Sequence, residues 1–229
     1  MISLMKLKEQ LDRVGYIFLS EWATNLSSLE LASQIGEVMT FNNVRGYQNI
    51  STVQLLKPQK KSEKNLNHYS GVFGFEEFPL HTDLAHWNLP PKYLMLRCLK
   101  GVESVDTTLL KVEKILPMLL NLSAHKAIFA TRSSELINGC VLPMIDMQNN
   151  RVKLLRWDSI FLIPFNHTAK YIKDYMEDMD YDSLKENFNL KEHGDTLIID
   201  NWKVLHGRSS INILDIHREI ERIYFKEIY

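Results

Sequence analysis

The chain has few cysteines, and this scarcity limits the classes of protein to which it can belong. Only Cys98 and Cys140 occur among its 229 residues. Two cysteines are too few for the disulfide framework of a small secreted protein, and they suit a reducing compartment. We therefore expect a cytoplasmic protein in which both thiols are chemically inert.

The chain also lacks a strong net charge and any long apolar run. Its formal charge is −1 at pH 7, so no overall field attracts nucleic acid or an anionic membrane. No stretch approaches the roughly 18 consecutive apolar residues of a membrane span, and residues 1–11 lack the apolar core of a signal peptide. We find no internal repeat. These absences favour a small-molecule partner over nucleic acid or membrane, and they leave the oligomeric state open.

Apolar periodicity predicts many short strands and a few helices within one domain spanning residues 1–229. A first helix ends at Gly15, and the capping-box pattern Ser27-Ser28-Leu29-Glu30 begins a second. Further helices are expected up to about Leu120 and over 168–179. Predicted strands cover 16–19, 50–56, 93–98, 107–110, 126–131, 141–147, 152–157, 196–201 and 221–225, with an Asn149-Asn150 hairpin turn. This mainly β pattern indicates a sandwich or barrel with helices on its outside.

The stretch Phe78-Pro79-Leu80-His81-Thr82-Asp83 carries the most chemistry. Side chains at i and i+2 of an extended segment point to the same side, so His81 and Asp83 can aim at one point. An imidazole and a carboxylate are two thirds of the 2-His-1-carboxylate set that holds non-haem Fe(II) with open positions. The best third candidate is His206, which lies far along the chain.

A second His-x-Asp pattern, His193-Gly194-Asp195, shows how weak such a motif is alone. Gly194-Asp195 is a turn signal just before an apolar, strand-like run. We therefore expect His193 to lie at a corner, in solvent, with no role in a metal site.

Two long segments resemble the TauD/TfdA family of Fe(II)- and 2-oxoglutarate-dependent dioxygenases, the clavaminate synthase-like proteins. One is residues 71–97, which contains the first His-x-Asp motif and Pro90-Pro91. The other is residues 194–224, which contains Asp200-Asn201-Trp202 and His206-Gly207-Arg208. With Asp106-Thr107 between them, the resemblance spans about residues 10–225 in order, although the chain is short for the family.

The resemblance implies a double-stranded β-helix, or jelly-roll, core and the use of Fe(II), 2-oxoglutarate and O2. His81, Asp83 and His206 would hold the iron. The products beside the oxidised substrate would be succinate and CO2. Because halogenating relatives lack a carboxylate at the position of Asp83, its presence indicates hydroxylation, with desaturation or ring formation as alternatives.

The resemblance also implies roles for two arginines and a threonine. Arg218 would pair with the distal carboxylate of 2-oxoglutarate, for which a planar guanidinium fork is suited. Thr107 would add a hydroxyl, although Thr108 is adjacent and the register is open by one residue. Strand parity places Arg222 on the same face as Arg218, so we predict that it binds an anionic group of the substrate. The alternative partner for Arg222 is a protein carboxylate, of which Glu77 is the best placed.

Phe75 and His86 flank the first motif, and we assign both to the substrate pocket, although each also suits a purely structural or surface role. The predicted substrate is a small molecule that is acidic or amino-acid-like. Two other classes remain open, namely a zinc hydrolase that uses the same ligands and a metal-free jelly-roll binding protein. The zinc alternative leaves Arg218 and Thr107 without roles.

Overall fold

A computed structural model of the chain describes residues 2–41, 50–63, 66, 68–132, 141–149 and 151–229, and these parts are mainly β. The helices are α1 (Leu4–Val14), α2 (Ser28–Ile35), α3 (Tyr69–Phe73), α4 (Val112–Asn121) and α5 (His167–Asp178). The strands are β1 (Tyr16–Leu19), β2 (Gly36–Val38), β3 (Gln54–Leu56), β4 (Phe78–His81), β5 (Tyr93–Lys100), β6 (Asp106–Lys111), β7 (Ile128–Thr131), β8 (Val141–Pro143), β9 (Ile145–Gln148), β10 (Arg151–Leu155), β11 (Leu162–Pro164), β12 (Glu186–Asn189), β13 (Thr196–Asp200), β14 (Val204–Arg208) and β15 (Glu219–Ile228). No helix in the described ranges is long and apolar enough to cross a membrane.

Two antiparallel sheets form the centre of the molecule. The larger sheet has the order β1-β13-β5-β15-β2, and β3 also pairs with β15. The smaller sheet has the order β12-β6-β14-β4. Leu96 of β5 and Tyr224 of β15 meet Leu109 of β6 in one buried cluster, so the sheets pack face to face. The predicted mainly β architecture is thus confirmed.

The helices cover the outer faces of both sheets, also as predicted. Leu7 and Leu11 of α1 and Leu31 of α2 pack against the outward-facing side of the larger sheet. Ile115 of α4 and Ile172 of α5 pack behind the smaller sheet. The space between the two sheets is filled by the separate interior cluster that contains Leu96, Leu109 and Tyr224. The candidate site lies beside this cluster.

Local signals at the first two helices are confirmed in detail. Gly15 ends α1 with φ 89° and donates its N–H to the carbonyl of Leu11. A left-handed residue at this position favours glycine, which has no Cβ. Both hydrogen bonds of the capping box between Ser27 and Glu30 are present at the start of α2.

Several predicted strand bounds were wrong. The strand expected over 50–56 is limited to β3, and the one expected over 141–147 is divided into β8 and β9. β15 is longer than expected because it pairs with β5 on one side and with β2 and β3 on the other. The short strands β11, β12 and β14 were not predicted. Cys140 and Asn150 lie outside the described residues.

Candidate metal centre

A glycine brings the two candidate histidines opposite each other. β14 pairs with β4 so that His206 is aligned with His81, and their ring centroids are 4.4 Å apart. Any Cβ at Gly207 would lie 2.6 Å from the carbonyl oxygen of Phe78. The strands can approach this closely because residue 207 has no side chain. This is a physical reason for glycine directly after His206.

His81, Asp83 and His206 form one buried cluster of donor atoms. Each residue is about 6 % exposed. His81 Nε2 lies 3.4 Å from Asp83 Oδ1, and His206 Nε2 lies 3.5 Å from Asp83 Oδ2. One donor atom from each residue lies within 4.8 Å of the others. Neighbouring ligand atoms of an octahedral ion are about 3 Å apart, so only a small contraction would be needed to bind a metal. The donor set fits Fe(II).

The surroundings of His81 orient its ring for ligation. His81 Nδ1 lies 2.9 Å from the carbonyl oxygen of Pro79, so this nitrogen carries the proton and donates. The lone pair is therefore on Nε2, which faces Asp83. Tyr69 stacks on the ring at a centroid distance of 4.0 Å. Thr82 points away, as predicted, and its hydroxyl donates to the carbonyl of Leu155.

Asn201 fixes the backbone of Asp83 from 118 residues away. Its Oδ1 accepts the N–H of Asp83 at 2.9 Å, and its Nδ2 donates to the carbonyls of Asp83 and Pro91 at 3.0 and 2.9 Å. Asn201 is fully buried. This clamp is a physical role for Asn201, the middle residue of the Asp200-Asn201-Trp202 motif, and it was not predicted from the sequence.

Asp83 is held as a carboxylate. Its burial favours the neutral acid, but the positive charge of Arg222 outweighs this effect and holds the pKa of Asp83 well below its usual value. Burial lowers the pKa of His206. Both changes favour the protonation states that bind a metal.

Arg222 is the cationic partner of Asp83, which differs from both partners considered from the sequence. Its Nη1 lies 3.1 and 3.0 Å from the two carboxylate oxygens, and its Nη2 donates to Gln54 Oε1 at 2.7 Å. Glu77 is exposed and lies 3.7 Å from Lys185 instead. A substrate anion is therefore not needed to neutralise Arg222, although that role stays a prediction.

Arg218 has no such partner. It is 7 % exposed, and its guanidinium makes no hydrogen bond or ion pair within the described part of the chain. Burial lowers its pKa to about 10, which leaves it charged at neutral pH. Arg208 lies close enough for the Arg218 charge to add to the effect of burial and lower the pKa of Arg208 to about 10 as well. A buried, uncompensated cation is costly, so the site favours an anionic ligand.

Strand register separates the two candidate threonines. Thr107 is aligned with Arg208 of β14 and with Phe188 of β12, which packs against the interior cluster. Directly opposed residues share a face of the sheet, so Thr107 faces inward and Thr108 faces the outer side. Thr107 therefore shares the inward face with Arg208, next to Arg218.

The two remaining pocket candidates lie in different surroundings. His86 is largely buried beside Phe161, with ring centroids 5.3 Å apart, and burial lowers its pKa to about 4. Phe75 lines an open groove of about 490 Å³ together with Phe73 and Ile213. Neither the triad nor Tyr69 is in ring contact with Phe75, so its role in substrate binding stays a prediction.

Asp158 and the structural role of Arg208 were not predicted from the sequence. Asp158 is 2 % exposed, and its Oδ1 accepts the N–H groups of Ile160 and Phe161 at 2.7 Å. Burial raises the pKa of Asp158. Arg208 stacks on Phe78 and donates to the carbonyls of residues 74 and 76. The one feature of the sequence that pointed to Asp158 was its position directly after the predicted strand 152–157.

Solved structures of iron oxygenases share this fold. Asparagine oxygenase matches with a TM-score of 0.70 and 17 % identity over 97 % of this chain and 76 % of its own. PvcB, described as an Fe, alpha-ketoglutarate dependent oxygenase from an isonitrile synthetic pathway, matches with a TM-score of 0.69 and 18 % identity over 98 % and 80 %. A mutant of the non-heme iron oxygenase OrfP, in complex with (3S)-hydroxy-L-Arg, matches with a TM-score of 0.67 and 17 % identity over 98 % and 78 %. No family model and no curated protein matches the chain.

Proposed function

We propose that this chain, which has the fold of Fe(II)- and 2-oxoglutarate-dependent oxygenases, is itself a dioxygenase with a jelly-roll core. It would hydroxylate a C–H bond of a small, amino-acid-like molecule. The observation that carries the proposal is the combination of the buried triad with the unpaired Arg218. A metal site alone suits several chemistries, whereas a triad beside a buried, uncompensated guanidinium suits a ligand that is both a chelator and an anion.

Each residue of the centre has a definite task in this proposal. His81, Asp83 and His206 would hold Fe(II), and Arg218 would bind the distal carboxylate of 2-oxoglutarate with help from the Thr107 hydroxyl. When bound, the metal, the cosubstrate and O2 supply the oxidation of the C–H bond, with release of succinate and CO2. The chain supplies orientation through Asn201 and excludes water from the space between the sheets.

The Asp158 carboxylate supports the amino-acid-like substrate. Asp158 has no lysine or arginine within ion-pair distance in the described residues, yet it is buried near the triad. An ammonium group of the substrate would supply the missing cation. The structures of two neighbours hold hydroxylated asparagine or arginine. Asp158→Asn should therefore raise the half-saturation for an amine substrate and spare slow decarboxylation of 2-oxoglutarate without substrate.

The direct test is anaerobic addition of Fe(II) and 2-oxoglutarate to the purified protein. We expect a weak metal-to-ligand absorption band in the visible range, followed by succinate formation when O2 is admitted. Small amino acids, amines and sulfonates can then be screened for stimulation of succinate release. A protein that binds Fe(II) but gives neither the band nor succinate would contradict the proposal.

The same test separates the two alternative classes. A zinc hydrolase would bind Zn²⁺ and show no dependence on 2-oxoglutarate, and a binding protein would need no metal. The zinc alternative leaves the unpaired Arg218 without a ligand, and the binding-protein alternative leaves the buried triad without a metal, so we rank the dioxygenase first.

A further inference from the structure

We infer that Arg222 is a positioning residue for the metal ligand Asp83, and that Gln54 holds Arg222 in place. This inference rests on the proposed function, because it assumes that Asp83 binds a metal. It differs from the role predicted from the sequence, in which Arg222 binds an anionic group of the substrate.

Arg222 contacts both oxygens of the Asp83 carboxylate. One nitrogen, Nη1, is shared between the two oxygens of Asp83 at 3.1 and 3.0 Å, so neither oxygen is favoured. The same oxygens lie 3.4 Å from His81 Nε2 and 3.5 Å from His206 Nε2. The carboxylate therefore lies between the guanidinium on one side and the two candidate metal-binding nitrogens on the other.

Gln54 and Tyr224 fix the guanidinium itself. Gln54 is aligned with Arg222 across the β3–β15 pair, and its Oε1 accepts from Nη2 at 2.7 Å. The Arg222 guanidinium carbon lies 5.0 Å from the centre of the Tyr224 ring, on the same interior face. Strand pairing thus sets the position of Arg222, and Arg222 in turn sets that of Asp83. Partners of this kind orient metal ligands before the metal arrives.

Arg218 and Arg222 provide a matched pair. Arg218 lies in the same interior space, but the structure gives it no contact with Asp83. The inference thus predicts separate effects for Arg218→Met and Arg222→Met on metal binding without cosubstrate. An anchor for the substrate would have no effect on metal binding in either case.

The experiment is an anaerobic titration with Co(II) alone, followed by its visible absorption. We expect Arg222→Met to weaken Co(II) binding about 10- to 100-fold relative to the wild type, with an altered spectrum. Arg222→Lys should show an intermediate loss, because it restores the charge without the fork to Gln54. Gln54→Leu should show a smaller loss of the same sign. Arg218→Met should match the wild type.

The outcomes distinguish this inference from the proposed function. A folded Arg222→Met protein that binds Co(II) as tightly as the wild type overturns the inference. If Arg222→Met does not fold, a Gln54→Leu protein with unchanged Co(II) binding overturns it instead. If the wild type itself binds no Co(II), the proposed function fails. Thermal unfolding of the metal-free variants shows whether a loss of affinity is merely a loss of fold.

Discussion

The chain contains the pattern His-x-Asp twice, and the two copies have opposite surroundings. At the first copy, His81 and Asp83 are both buried and face the third donor, His206. At the second copy, His193 is exposed, and only Asp195 is buried. Gly194 between them has φ 90°, which turns the chain at a corner. The second pattern is therefore a turn, as predicted.

The two aspartates differ in what surrounds their oxygens. Asp195 accepts from the Ser20 hydroxyl and from the backbone N–H groups of residues 21, 191 and 192, at 2.9 to 3.1 Å. Its lone pairs are thus used within the fold. The described hydrogen bonds to the Asp83 oxygens come from the Arg222 guanidinium, and two imidazoles face the carboxylate from its other side. A carboxylate can serve a metal where the fold orients it without satisfying it fully.

The largest expected effect that distinguishes the copies is on turnover. His81→Ala, Asp83→Ala and His206→Ala should each reduce iron-dependent 2-oxoglutarate turnover to background, because each removes one of three ligands. Succinate formation measures this effect, and circular dichroism checks the fold. Full activity of Asp83→Ala without added chloride or carboxylate would contradict the metal assignment.

The next effect concerns the cosubstrate rather than the metal. Arg218→Ala should raise the 2-oxoglutarate requirement by about 2–5 kcal/mol of lost binding, because the distal carboxylate would be left unpaired in a dry site. Iron binding should survive. A titration of 2-oxoglutarate against succinate formation measures the change. An unaltered half-saturation would transfer the role to the neighbouring Arg208.

The residues that the sequence analysis placed well are those whose role depends on local geometry. The i, i+2 spacing of His81 and Asp83 and the turn at Gly194 can both be predicted from a few neighbouring residues of the sequence. The partners of Arg222 were not readable, because parity gives the face of a strand but not the distance to a residue 139 positions away. The clamp by Asn201 and the burial of Asp158 likewise depend on how the sheets pack.

At the second copy the expected effect is on stability. Asp195→Ala should remove the acceptor of several N–H groups at a part-buried turn, at a cost of about 1–3 kcal/mol. For a domain of this size, the melting temperature should fall by about 2–4 °C per kcal/mol. Co(II) affinity should not change. A variant of normal stability with impaired metal binding would reverse our assignment of the two copies.

The smallest expected effect is that of His193→Ala, and it makes the comparison sharpest. The side chain is exposed, and its only described hydrogen bond joins Nδ1 to the carbonyl of Leu99 at 3.3 Å. An exposed contact of this kind contributes little, so stability should change by no more than about 0.5 kcal/mol. Turnover and metal affinity should equal those of the wild type, whereas His81→Ala, assayed beside it, should lose both. If His193→Ala loses metal binding and His81→Ala retains it, our assignment of the metal site to the first His-x-Asp copy is wrong.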